Sequence, residues 1–138
     1  MSVPKSLRGE SKLEVLTKSR ELAAYTVKIC SNENNFPKRY RWCVTQDIVQ
    51  CAVNVTKYVA MANSIYVVND DDYRLRRKYQ QEALANVSAM LNLISIARDV
   101  FQNIDGRRLT YWAEKAMEVQ NLIRAWKKSD ERNNKVDG

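Results

Sequence analysis

The chain has 138 residues, 45% of them hydrophobic, with only 3 Gly and 2 Pro, which fits one domain with one core and excludes a loop-rich or all-β fold. His is absent, so the commonest general base, the His-paired nucleophiles and imidazole zinc ligation are all removed. Against 16 Asp and Glu stand 23 Lys and Arg, a formal charge of +7 that suits a polyanionic or acidic partner and equally suits solubility alone.

Residues 1–10 carry positive charge with no apolar stretch behind it, so they read as a flexible segment and not as a secretory signal. A first helix is expected from Ser11 to about Cys30, because Ser11-Lys12-Leu13-Glu14 has the form of a capping box. Its apolar residues make two stripes, Leu13, Leu16, Ala23, Val27 and Cys30 on one and Val15, Leu22 and Ile29 on the other. The second stripe suggests a subunit contact.

The polar break Ser31-Asn32-Glu33-Asn34-Asn35-Phe36 ends in Pro37, a residue tolerated in the first turn of a helix but not in its middle. A second helix follows to about Val68, with Val44, Ile48, Cys51, Val55, Tyr58, Ala62 and Ile65 as its seam. Asn69-Asp70-Asp71-Asp72 then supplies a cap and carboxylates for a third helix over about 71–103. Leu75, Tyr79, Leu84, Val87, Leu91, Ile94 and Phe101 are its buried candidates. Asp105-Gly106 is expected to close that helix through a left-handed glycine.

The fourth helix has the clearest pattern, since Leu109, Trp112, Ala116, Val119, Ile123 and Trp126 recur at alternating spacings of three and four. It should end near Lys128, leaving a polar tail over 129–138 that frays. Short connections between long helices make an all-α, antiparallel up-down-up-down four-helix bundle over 11–128 the expected fold.

No apolar run reaches membrane-spanning length. Cys30, Cys43 and Cys51 are odd in number and lack CxxC spacing, so neither a disulfide framework nor a zinc knuckle is expected and a cytoplasmic setting fits best. Gly-rich phosphate loops, the serine elbow and paired-His metal motifs are absent. Glu114 and Glu118 stand one turn apart, but a carboxylate-bridged metal bundle also uses Glu-x-x-His motifs that a chain without His cannot supply. No catalytic residue, cofactor or metal site is therefore expected.

Four basic groups remain: Lys38, Arg39 and Arg41; Arg74, Arg76, Arg77 and Lys78; Arg107 and Arg108; and Arg124, Lys127 and Lys128. In an antiparallel bundle they flank both ends, where they could contact phosphates. Lys127 and Lys128 read first as complements to the dipole of their helix. Lys38, Arg39 and Arg41 read first as anion contacts, because Tyr40 and Trp42 beside them could stack on bases or staple the helix to the core. Trp112 and Trp126 lie on the core stripe, so they read as packing.

Three stretches carry a family resemblance: Leu13-Glu14-Val15 with Lys18-Ser19-Arg20-Glu21-Leu22-Ala23, Phe36-Pro37-Lys38-Arg39-Tyr40-Arg41-Trp42, and Ala125-Trp126-Lys127-Lys128-Ser129-Asp130. From about Leu13 to Asp130 the chain resembles the family of small four-helix-bundle proteins that includes the accessory variability proteins (Avd) of diversity-generating retroelements. Proteins encoded in intervening sequences of bacterial large-subunit ribosomal RNA genes belong to the same broader family. The resemblance implies a non-enzymatic homopentamer whose basic surface associates with a reverse transcriptase and with RNA or an RNA-DNA hybrid. Lys38, Arg39 and Arg41 are by that likeness the first polyanion contacts and Arg74, Arg76, Arg77 and Lys78 the next. The alternative is a structural assembly protein of the intervening-sequence type without a reverse transcriptase partner.

Overall fold

A computed structural model describes residues 5–101 and 103–134, with the side chains of 13–39, 43–101 and 103–134. Among the described residues there are four α-helices: α1 (Lys5–Ser31), α2 (Gln46–Asn63), α3 (Asp70–Val100) and α4 (Gly106–Asn133). Among the described residues there is no strand. Each helix has two principal neighbours, α1 and α3 each packing on α2 and α4, around one shared core.

The α4 stripe behaves as its spacing dictates: Leu109, Trp112, Ala116, Val119, Ile123 and Trp126 are all buried, each such large side chain contributing about 1.5–3 kcal/mol. The seam then continues one turn further to Asp130, which is also buried. Helix α4 therefore runs to Asn133, past the end expected near Lys128, so the first residues of the expected fraying tail over 129–138 are helical; 135–138 lie outside the described residues. At its other end Gly106 is the first residue of α4, with Asp105 as N-cap accepting a hydrogen bond from the Arg107 amide at 3.1 Å. Gly106 thus opens a helix instead of closing one.

Helix α3 leaves through Phe101 in extended conformation (φ −104, ψ 112), which lets that ring turn into the core. The start of α3 follows expectation. The Asn69 side chain accepts from the Asp72 amide at 2.9 Å, the Asp72 carboxylate accepts from the Val68 amide at 3.2 Å, and three aspartates face the positive end of the helix dipole. A cap of this kind is worth about 1 kcal/mol.

The α3 seam differs from the expected one, running Arg76, Gln80, Ala83, Val87, Met90, Ile94 and Ala97. Leu75 is 42% exposed, and Tyr79, Leu84 and Leu91 pack on the flank of the core. Ala52 and Ala62 of α2 and Ala83 and Ala97 of α3 are fully buried, and such small side chains let the two backbones approach. The α2–α3 contact is the most extensive in the molecule.

Helix α1 begins at Lys5, so Ser11 lies inside it and is not its cap. The α1 core stripe is Val15, Leu22 and Ile29, the set expected at a subunit contact, joined by fully buried Ser19 and Thr26. Hydroxyls can occupy a core seam when they are bonded. Ser19 donates to the Leu16 carbonyl at 2.9 Å and lies 3.0 Å from the Thr56 hydroxyl. Of the other stripe, Leu13 and Val27 are 60% and 41% exposed, whereas Ala23 and Cys30 are buried and Leu16 packs against the core.

Helix α2 stops at Asn63, before the expected Val68. The β-branched run around Ile65, Val67 and Val68 is a weak helix former, and the Arg76 guanidinium donates to the Ile65 carbonyl at 2.6 Å.

Candidate nucleic-acid interface

The chain leaves α1 through a tight turn in which the Asn32 carboxamide accepts from the Asn34 amide at 2.9 Å, the local bonding that favours Asn in turns. Asn35 donates to the Ile29 carbonyl at 3.2 Å, satisfying part of the open end of α1. Phe36 is the anchor. Its ring meets Phe101 edge-on at 5.4 Å and Trp112 at 6.2 Å, and the residue is 3% exposed.

Pro37 then starts a 3₁₀ turn, Lys38–Tyr40, that widens into a π-helical turn, Arg41–Thr45, before α2 begins. The sequence pointed to one regular helix here. The irregular lead-in keeps Lys38 and Arg39 exposed beside a buried Phe36. The side chains of Tyr40, Arg41 and Trp42 lie outside the described residues, and with them the expected anion contact of Arg41 and the stacking or stapling expected of the two aromatics.

Arg107 and Arg108, in the exposed first turn of α4, come to the same end. Arg108 donates to Asn35 at 2.8 Å. A bond over that sequence distance ties the α4 start to the turn that carries Lys38 and Arg39. Lys38, Arg39, Arg107 and Arg108 therefore form one cationic end.

The second basic group is built differently. Arg76, expected at the surface, is 7% exposed and salt-bridged to Asp130 at 2.7 Å, with Gln80 donating to the other Asp130 oxygen at 3.2 Å. It is a core residue and not an anion contact. Its neighbours are also compensated, since Arg74 lies 3.9 Å from Asp71, and Arg77 lies 3.9 Å from Glu131 and 3.0 Å from the Tyr73 hydroxyl. Exposed pairs at such distances are worth little as stability, but they lower the positive potential. Lys78, Arg124 and Lys128 are exposed and Lys127 is half-buried.

Trp112 and Trp126 are both packed in the core. Glu118 lies 3.8 Å from Lys18, and among the described residues no cluster of His, Cys, Asp or Glu could hold a metal ion. No described helix is long and apolar enough to cross a membrane.

The cysteines differ sharply in exposure. Burial pushes the Cys30 thiol up to about 12, so at neutral pH it carries a proton and is a poor nucleophile. Burial and, secondarily, Asp47 also raise Cys51, whereas Cys43 is exposed. Iodoacetamide at mildly alkaline pH should modify Cys43 first and Cys30 last by peptide mass spectrometry. Fast modification of Cys30 in the folded protein would contradict this packing.

Fold and surface together define an all-α protein of four helices around one core, with basic side chains at both ends. No family model matches the chain, and comparison with curated proteins and with solved structures yields no match.

Proposed function

We propose that this chain is a non-enzymatic accessory protein that binds nucleic acid through its cationic end, as the partner of a reverse transcriptase in a diversity-generating retroelement. The observation that carries the reading is the gathering of Lys38, Arg107 and Arg108 at one end, with Arg39 next to Lys38, whereas Arg76 is buried against Asp130 and Arg74 and Arg77 each have a carboxylate within 3.9 Å. Lys and Arg so placed pair with phosphates and release counterions, which gives salt-sensitive and largely sequence-independent affinity. The resemblance of the three stretches named above supplies the retroelement context, with a homopentamer, a cytoplasmic setting and RNA or an RNA-DNA hybrid as template. An antiparallel up-down-up-down course belongs to the same reading. It is supported by the meeting of the α3 start with the α4 end through Arg76 and Asp130, and of the α4 start with the turn after α1 through Arg108 and Asn35.

Binding of single-stranded RNA measured against salt tests the proposal. The wild type should show a steep linear loss of affinity on a logarithmic plot. Changing Lys38, Arg39 and Arg107 together to Ala should reduce the slope by roughly 2, at about 0.7 per single-strand phosphate contact. A flat dependence, or unchanged affinity in the triple variant, would defeat it.

The exposure of Leu13, Val27 and Met117 favours self-association and keeps a second reading in play, an assembly protein of the intervening-sequence type whose charge serves solubility. A defined oligomer by sedimentation that binds neither RNA nor a reverse transcriptase would select it.

A further inference from the structure

Helices α1 and α4 pack side by side, and in their seam two tyrosines meet. The rings of Tyr25 and Tyr111 stand 5.4 Å apart at 72°, and Lys115 Nζ lies 5.2 Å from the Tyr111 ring centre and 5.7 Å from that of Tyr25. Tyr25 is half-buried, and Tyr111 is 51% exposed. Burial raises the Tyr25 phenol while the Arg108 guanidinium opposes that rise, so the cationic end reaches this seam. On α4, Arg107 precedes Tyr111 by four residues and Lys115 follows it by four, each about 6 Å along the helix axis.

The aromatic pair therefore sits between cations, and one ring leaves half its surface to solvent. That ring adds little to the core, whose α4 contribution comes from the Leu109 to Trp126 stripe on another face. Proteins that hold single strands combine a cationic track with exposed aromatic rings on which bases stack.

We infer that Tyr111, backed by Tyr25, is a base-stacking platform for single-stranded nucleic acid. One unpaired base takes the Tyr111 ring, and Arg107, Arg108 and Lys115 take the flanking phosphates. The inference rests on the reading of the cationic end as a nucleic-acid site and narrows its substrate to unpaired strands, since a duplex keeps its base faces inside its own stack. Lys115 can exchange its ring contact for a phosphate when the base arrives.

The test uses the full chain and two probes, a single-stranded oligouridine RNA carrying one fluorescent purine analogue and inorganic polyphosphate, which has the charge without bases. Tyr111→Ala should weaken RNA binding roughly 10-fold, abolish the quenching of the analogue, and leave polyphosphate binding and the melting temperature unchanged. Tyr111→Phe should retain both affinity and quenching. Equal losses for the two probes would mark a structural role and overturn the platform, as would RNA affinity unchanged in Tyr111→Ala. If wild-type RNA affinity is still steep in salt, those results sink the platform alone. Absence of RNA binding by the wild type sinks the platform and the proposed function together.

Discussion

Replacing Asp130 with Ala should destabilise the fold by about 3–5 kcal/mol, the cost of leaving one member of a buried ion pair without its partner. The side chains of Arg76 and Asp130 are 8% and 6% exposed and meet at 2.7 Å. Arg76 also donates to the Ile65 carbonyl, and Gln80 donates to Asp130. One carboxylate thus joins the starts of α3 and the α2–α3 loop to the last turn of α4. Arg76 Nε, Gln80 Oε1 and Trp126 Nε1 are buried without a hydrogen-bond partner, so the cluster already holds unmet polar groups to which the loss of Asp130 would add.

Arg76→Met should cost a similar amount, since it leaves the Asp130 charge buried. Combining Arg76→Met with Asp130→Leu should recover most of the loss, because a buried pair exchanged for apolar side chains of similar volume is often neutral. The Gln80 amide and the part-buried Ile65 carbonyl would then lose their partners, the buried amide at about 1–3 kcal/mol. Urea unfolding followed by circular dichroism measures all three variants. Single variants within about 1 kcal/mol of wild type would show that the two side chains are not paired in a dry interior.

Trp112→Ala is the second large effect, expected at about 3–5 kcal/mol. Trp112 is fully buried, its ring faces Phe36, and its indole N–H donates to Thr26 at 3.0 Å. Thr26 in turn donates to the Leu22 carbonyl at 2.7 Å, so the indole and the hydroxyl satisfy each other inside the core. Thr26→Val keeps the shape but orphans the indole N–H, and should cost about 1–3 kcal/mol. Because Phe36 anchors the turn that carries Lys38 and Arg39, the alanine variant should also lower RNA affinity under conditions where it remains folded. A Trp112→Ala variant as stable as wild type would mean that the indole is not packed in the core.

What could be read from the sequence depended on whether a seam was apolar. The α4 stripe from Leu109 to Trp126 was legible because every member is nonpolar and the spacing is strictly helical. Its next member is Asp130, which reads as tail until Arg76 is placed beside it. Arg76 and Gln80 at the head of the α3 seam, and Ser19 and Thr26 in that of α1, were hidden for the same reason. A buried polar residue is stable only with a partner, and the partners of Arg76, Gln80 and Thr26 lie 54, 50 and 86 residues away in sequence.

The cationic end was partly legible. Lys38 and Arg39 stood out beside an aromatic run, but their alliance with Arg107 and Arg108 depends on the bond from Arg108 to Asn35, which no local pattern announces. Tyr25, Tyr111 and Lys115 were missed altogether, being scattered over two helices. The available signal was Tyr111 flanked by Arg107, Arg108 and Lys115 at helical spacings, which places an aromatic ring among cations on one face.

Lysine footprinting on the folded protein tests the interface most directly, by comparing acetylation of each lysine with and without bound single-stranded RNA. Lys38 should be protected, while Lys78 and Lys128 should react as they do in the free protein. Protection centred on Lys78 and Lys128 with Lys38 unaffected would place the nucleic acid at the wrong end of the molecule and contradict the proposed interface.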